Sequence, residues 1–271
     1  MVDYRDRISV SVWVVLLGLT ATLLVNVPSI KLIWIVFGSP LTIQLSASLL
    51  FSVLLVALAA SGTESVVRAH PLARSEQLRN RWIFWAVPCA LVAVSSLLLR
   101  SAPTRLNWLL GLALSGAALG LTLAATYHAI DPEEASYRPA RIALNLLTYL
   151  VVMLLFLVVY RQRARSLLSA SQTVGISALL ALELLRGIGR PLRFVGQYAL
   201  IIGLVLGEIT WALNYWPLPG LTGGLLLLLG FYVMVGLAIQ GLLRRLTPRV
   251  LLEFGAVAAV SLLLIWGFAP R

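Results

Sequence analysis

The sequence predicts an all-α, polytopic integral membrane protein, a bundle of about nine transmembrane helices (eight is the other count) with its N-terminus inside. Three observations predict it. Apolar runs of about 20 residues recur along the chain, each long enough, at about 1.5 Å per residue, to cross a hydrocarbon core of about 30 Å. Charged residues make up 11% of the 271 positions and hydrophobic ones 60%, with a mean hydropathy of +0.96, where a soluble domain has roughly a quarter of its residues charged. The runs are continuously apolar and lack the period-two alternation of barrel strands, which favours helices.

Taken in order, the spans fall at 8–26, 41–60, 82–99, 106–128, 142–160, 166–185, 194–214, 220–242 and 250–268. They leave no room for a separate soluble domain, so residues 1–271 read as one membrane-embedded domain. The segment Met1–Arg7 is short and charged, and Asn26-Val27-Pro28 offers no small-x-small cleavage site, so the first run reads as an uncleaved span. Between Pro28 and Pro40 the run Leu32–Phe37 is too short to cross. It predicts a segment lying in the outer interface on Lys31 and Trp34, or a re-entrant piece. After the second span, Thr63 reads as the cap of a short helix with Glu64 and Arg68 at i,i+4 and Pro71 at its end. Asp131-Pro132-Glu133-Glu134 reads as a second surface helix start, with a capping acid, proline at the first helical position and acids in the first turn.

Small residues mark the helix-packing faces. Gly116, Gly120 and Ala124 share one face of the fourth span at i,i+4 spacing, and His128 continues it. Gly203 and Gly207 repeat the pattern in the seventh span, followed by Gly223, Gly224 and Gly230. Such spacing lets a neighbouring helix approach closely. The sixth run carries Ser169, Ser171, Gln172, Thr173 and Ser177, and the fifth Asn145 and Thr148, a polar density that predicts burial against other helices or a wet cavity, helix-to-helix contact being the favoured reading.

Orientation follows from the basic residues. With the N-terminus inside, fourteen fall on the inner side and seven on the outer, the bias expected of cytoplasmic loops. The exception is Arg161-Gln162-Arg163-Ala164-Arg165, on the outer side. The net charge of +11 is almost all arginine, Lys31 being the single lysine. Arginines placed between apolar runs predict loops held against anionic headgroups, and no motif for RNA or DNA accompanies them. Cys89 is the one cysteine, so no intrachain disulfide or multi-cysteine metal site forms.

Glu208 is the one acid deep in an apolar run. It shares a helix face with Trp211 and Tyr215, beneath the turn Pro217-Leu218-Pro219-Gly220. Ionisable residues inside spans mark function unless a structural partner neutralises them, so Glu208, Trp211 and Tyr215 form the candidate substrate- or ion-binding group. Glu183, one turn before Arg186, reads as an i,i+3 pair near the interface. His128, Asp131 and Glu183 are a candidate polar cluster at the inner face, with His70 and Glu64 as further members. Two histidines and one cysteine do not make a dense ligand set, so no metal is expected and no cofactor is implied. No phosphate loop, Gly-x-Ser-x-Gly elbow or His-Glu-x-x-His pair occurs, and no catalytic residue is identified.

The residues favour a non-catalytic accessory or structural subunit of a cell membrane, of the bacterial inner-membrane type, meeting a membrane-protein partner or a second copy of itself. The alternatives are a small-solute or lipid transporter using Glu208, and a lipid-processing enzyme with its site at the inner face.

Overall fold

The computed structural model describes residues 3–24, 30–36, 39–45, 47–74, 80–162, 166–216 and 218–268. Their elements are α1 (Tyr4–Leu24), β1 (Ile30–Val36), β2 (Ser39–Leu45), α2 (Ala47–Ala69), the short α3 (Pro71–Arg74), a 3₁₀ turn (Arg81–Trp85), α4 (Ala86–Arg100), α5 (Arg105–His128), α6 (Tyr137–Gln162), α7 (Ser166–Arg186), α8 (Leu192–Asn214), α9 (Gly220–Leu242) and α10 (Pro248–Phe268). Among the described residues, eight helical segments are long and apolar enough to cross a membrane, the 3₁₀ turn extending α4 into the span Arg81–Arg100. Helix α1 has 21 residues but begins with Arg5, Asp6 and Arg7, and is not among the eight. The side chains facing outward are those of a protein solvated by lipid: Leu17, Leu114, Leu146 and Leu252 are each at least 66% exposed, and water would penalise so many exposed leucines. The chain is an all-α, multi-pass membrane bundle.

Three local expectations change. Residues 30–36 and 39–45 pair as antiparallel strands, in register from Ile30 opposite Leu45 to Val36 opposite Ser39, so 41–45 belong to a strand and not to the second span. The β-branched run of β1 suits a strand, and a two-stranded sheet has only edge strands, where Pro40 is tolerated. The anchoring expected of the Lys31 and Trp34 side chains lies outside the described residues, as do Asn26-Val27-Pro28, Arg163–Arg165 and Pro217. The second span therefore starts later, at Ala47, and runs on through Ala69.

That shift places Thr63 inside α2, fully buried, with its hydroxyl donating to Ala59 O at 2.7 Å, so it caps nothing. The polar stretch continues the helix because Thr63, Glu64 and Ser65 find partners. Glu64 and Arg68 pair at 2.7 Å, and Gly62 lets Ser11 of α1 come so close that a Cβ would stand 2.7 Å from its Oγ. The third change is at Asp131, where the chain makes turns and α6 begins only at Tyr137. Asp131 Oδ1 accepts the Glu133 N–H at 2.9 Å, so the expected capping contact forms but closes an Asx turn instead of opening a helix.

The helices gather into two compact units, Met1–Ala140 and Arg141–Arg271. In the first, α1, α2, α4 and α5 form a closed ring, each packed on the next and α5 back on α1, around Leu19, Leu55, Val87 and Leu123. In the second, α7 and α8 make the tightest pair, α9 lies on both, and α10 lies on α9. Helix α6 joins this unit through aromatic edges, with Phe156 and Tyr149 packed on Phe231 at 6.1 and 5.8 Å. No residue of the α10 span Pro248–Ile265 is buried.

Candidate functional site

The first unit carries a dense polar network at one end. Glu64 accepts the indole N–H of Trp85 at 3.1 Å and the Arg68 guanidinium at 2.7 Å. Arg7 donates to the carbonyl and hydroxyl of Ser65 at 3.2 and 3.0 Å, tying the start of α1 to the last turns of α2. His70 is buried, and its Nδ1 accepts the Leu72 N–H at 3.2 Å, which starts α3. Burial pushes the His70 imidazole below its usual pKa, against the opposing pull of Asp131 and Glu134. Its ring meets Tyr127 edge-on at 4.9 Å, and Tyr127 stacks on Tyr4 at 4.2 Å.

His128, at the end of α5, uses Nδ1 for Glu134 Oε1 at 2.7 Å, and Ser136 Oγ lies 3.2 Å from the same nitrogen. Ser136 also donates to Glu134 Oε1 at 2.5 Å. That hydroxyl first, then His128, hold the Glu134 carboxyl below the usual carboxylate range despite partial burial. Serine, histidine and carboxylate are thus together but in the wrong order for a nucleophile relay, which needs the hydroxyl and the carboxylate on opposite ring nitrogens. The arrangement fastens the 129–136 turns to α5. Of the predicted inner-face cluster, His128 engages Glu134 and Asp131 closes its own turn.

The third predicted member, Glu183, lies in the second unit and is 2% exposed. Arg186 Nε and Nη2 reach its two oxygens at 2.5 and 2.7 Å, and Arg141 Nη1 reaches Oε1 at 3.1 Å. The i,i+3 pair with Arg186 is therefore present, and a second arginine joins it from the first turns of α6. Arg141 Nη2 also donates to the carbonyls of Glu183 and Leu184 at 3.0 and 3.1 Å, placing a cation at the negative end of α7. Gly187 makes room for it, since a Cβ there would stand 2.6 Å from Arg141 Nε and 2.7 Å from Cζ. At its other end α6 repeats the device. The Tyr160 hydroxyl donates to the carbonyls of Leu213 and Trp216 at 3.3 and 3.1 Å, closing the end of α8.

Glu208 sits elsewhere on the same helix pair. Its side chain is exposed, no described residue forms a hydrogen bond or ion pair with it, and it lines an open groove of about 460 Å³ between α7 and α8 with Leu167, Val174, Leu204 and Trp211. Six residues from the end of α8, it lies about 9 Å in from that end. Trp211 shares the groove at 44% exposure, while Tyr215, 76% exposed, stands beyond it at the helix end. The floor of the groove is the tight α7–α8 seam. A Cβ on Gly203 would stand 2.7 Å from Val174 O, and one on Gly207 would stand 3.3 Å from Ala170 O. Asn214 Nδ2 closes the seam on Ser169 Oγ at 2.6 Å.

The other small-residue face, on α5, is only partly filled by α1. Leu16 covers Gly116, where a Cβ would stand 2.9 Å from it, whereas Val12 stands 3.8 Å from a Cβ on Gly120. Gly120, Ala124 and His128 then line an open groove of about 380 Å³ beside Tyr4 and Arg5. Among the described residues no group of three or more histidine, cysteine or acidic side chains is arranged to hold a metal ion.

Sequence reasoning passed over Arg141, Tyr160, Glu134 and Ser136. Arg141 carried the clearest signal: an arginine at the start of a long apolar span with no acid three or four residues along its own helix needs a partner from another. Glu134 and Ser136 follow His128 closely and act only through turns that the pattern did not predict.

No curated protein and no solved structure matches the chain. Residues 27–267 match the family described as Protein of unknown function (DUF5656), and the chain, matched over most of its length, belongs to that family.

Proposed function

We propose that this chain is a non-catalytic membrane subunit that assembles in the bilayer with another integral membrane protein, whose helix occupies the α7–α8 groove at Glu208. The observation that supports this reading is the contrast in partners: Glu208 is exposed in an apolar groove and nothing described pairs with it. A carboxyl about 9 Å inside the helix end faces hydrocarbon, where an ionisable group without a partner is costly. A neighbouring helix that brings a basic side chain or a hydrogen-bond donor relieves that cost, and Trp211 supplies apolar contact beside it. The groove is open to the surface, which fits a docking face better than an enclosed solute path. The distribution of arginines supports an inner membrane of the bacterial type with the N-terminus inside.

The test is site-directed crosslinking in native membranes. A photo-reactive amino acid replacing Leu204, in the groove, is expected to capture one discrete membrane protein at a helix carrying a donor within its span, and Glu208→Gln is expected to reduce that product several-fold. The same probe at Leu252, on α10, serves as the control. Capture that is equal at both positions, or unchanged by Glu208→Gln, defeats the proposal. Capture of a second copy of this chain makes the subunit a homo-oligomer using the same face.

A further inference from the structure

We propose that the exposed arginines where α8 begins, α9 ends and α10 begins form a binding surface for the phosphodiester headgroups of anionic phospholipids. Arg193, Arg244, Arg245 and Arg249 are all exposed, and no described carboxylate pairs with any of them. Glu253, one turn along α10 from Arg249, does not pair with it either. The fold brings the four to one end of the unit. Arg190 Nε donates to Leu242 O at 3.1 Å, fastening the start of α8 to the end of α9. The link from α9 to α10 is only residues 243–247, with Arg244 and Arg245 within it.

Arg244 adds an observation that loop polarity does not explain. Its φ is 56°, in the left-handed region, and it is the one described residue other than glycine there. It ends α9 in the position glycine ordinarily takes, its N–H bonded to Gly241 O at 3.0 Å and that of Arg245 to Gln240 O at 2.9 Å. An arginine is held where a glycine is the easier residue, and an observed outlier of this kind points to function. The amino ends of α8 and α10 face the same region, and their positive dipole ends add to the arginine charge instead of offsetting it. An anion beside them would accept hydrogen bonds from the exposed guanidiniums and favour the positive helix ends. The surface terminates helices of membrane-spanning length, so it lies at headgroup depth, and the anion at that depth is a lipid phosphate.

The experiment uses the full-length protein in mild detergent, titrated with phosphatidylglycerol or phosphatidylcholine and read by native mass spectrometry and thermal unfolding. Wild type is expected to bind phosphatidylglycerol the more tightly. Arg244→Gly is expected to weaken that binding about five-fold, and Arg244→Gly with Arg245→Gln about 25-fold, from the usual contribution of one basic residue near an anionic surface. Arg244→Gly is also expected to keep or raise the melting temperature, because glycine relieves the backbone. A merely structural arginine would not give weaker lipid binding together with equal or greater stability. Equal binding of the two lipids by wild type, or wild-type phosphatidylglycerol affinity in Arg244→Gly, overturns the proposal and leaves the arginines with the role of orienting the chain during insertion. Should the double variant misfold, Arg244→Gly alone decides.

Discussion

Glu183 and Glu208 sit on the two most closely packed helices of the molecule, and their surroundings are opposite. Glu183 is buried against two guanidiniums near the end of α7, while Glu208 is exposed in a groove six residues inside the end of α8. The difference follows from where cations can be supplied. Arginines in this chain stand at helix ends, so a carboxylate within a turn of an end is reached by its own helix and by the next helix starting at that level. Arg186 and Arg141 do this for Glu183. A carboxylate farther in has no described arginine at its depth, and its partner must come from outside the unit. Glu183 is thus completed by the fold, whereas Glu208 is completed by whatever meets the groove.

The strongest way to break this comparison is to remove the completed carboxylate. Glu183→Ala leaves two partly buried guanidiniums facing each other without an anion, and breaking a buried pair from one side costs about 3–5 kcal/mol. Thermal unfolding in detergent should show a large loss of stability, and Glu183→Gln, which keeps the shape and some hydrogen bonding, a smaller one. A Glu183→Ala protein as stable as wild type would mean that the arginines are solvated independently of the carboxylate and that the contrast with Glu208 is only one of exposure.

A more local probe leaves all three charges in place. In Gly187→Ala the new methyl meets the Arg141 guanidinium. A flexible side chain would normally move aside, but this one is held by Glu183 and by two carbonyls at the end of α7. Moving it gives up those bonds, so the expected loss is about 1–3 kcal/mol, the range for overpacking a filled site. Additivity with Arg141→Ala separates the explanations. The alanine at 187 should cost little once Arg141 is gone, whereas an equal loss in both backgrounds would assign the effect to the 187 backbone.

How much of this was legible in the sequence divides along the same line. The helices of the second unit are predicted within a few residues, because their apolar runs are long and their ends carry glycine, proline or arginine. The Glu183–Arg186 pair is legible because it lies within one helix. Arg141 as a third member is not, since nothing local links α6 to the end of α7. In the first unit, 41–45 misleads because apolar residues next to a span read as its start, whereas here they pair as a strand with the β-branched run 30–36. Residues 61–65 read as a loop because what holds Gly62 and Ser65, Ser11 and Arg7 of α1, is distant in the chain, 58 residues in the case of Arg7 and Ser65. Glu208 is visible as an acid in an apolar run, but its direction, outward instead of into the bundle, is set by the Gly203–Gly207 seam facing α7.

The smallest expected effect is the most discriminating. Glu208→Gln in the isolated protein should change stability by no more than about 0.5 kcal/mol, the usual range for an exposed position away from packing and hydrogen-bond networks. The substitution keeps side-chain length and one acceptor and removes the charge, so any packing contribution of the groove wall is retained. Stability near wild type, measured beside the large loss in Glu183→Ala, leaves interaction with something outside the chain as the remaining role for the Glu208 carboxylate. A loss approaching that of Glu183→Ala would give Glu208 a partner within the fold, and the groove would lose its claim to be a docking face. The two carboxylates lie on one helix pair and are read by one measurement, so the ratio of their effects reports on the groove without the partner having to be known.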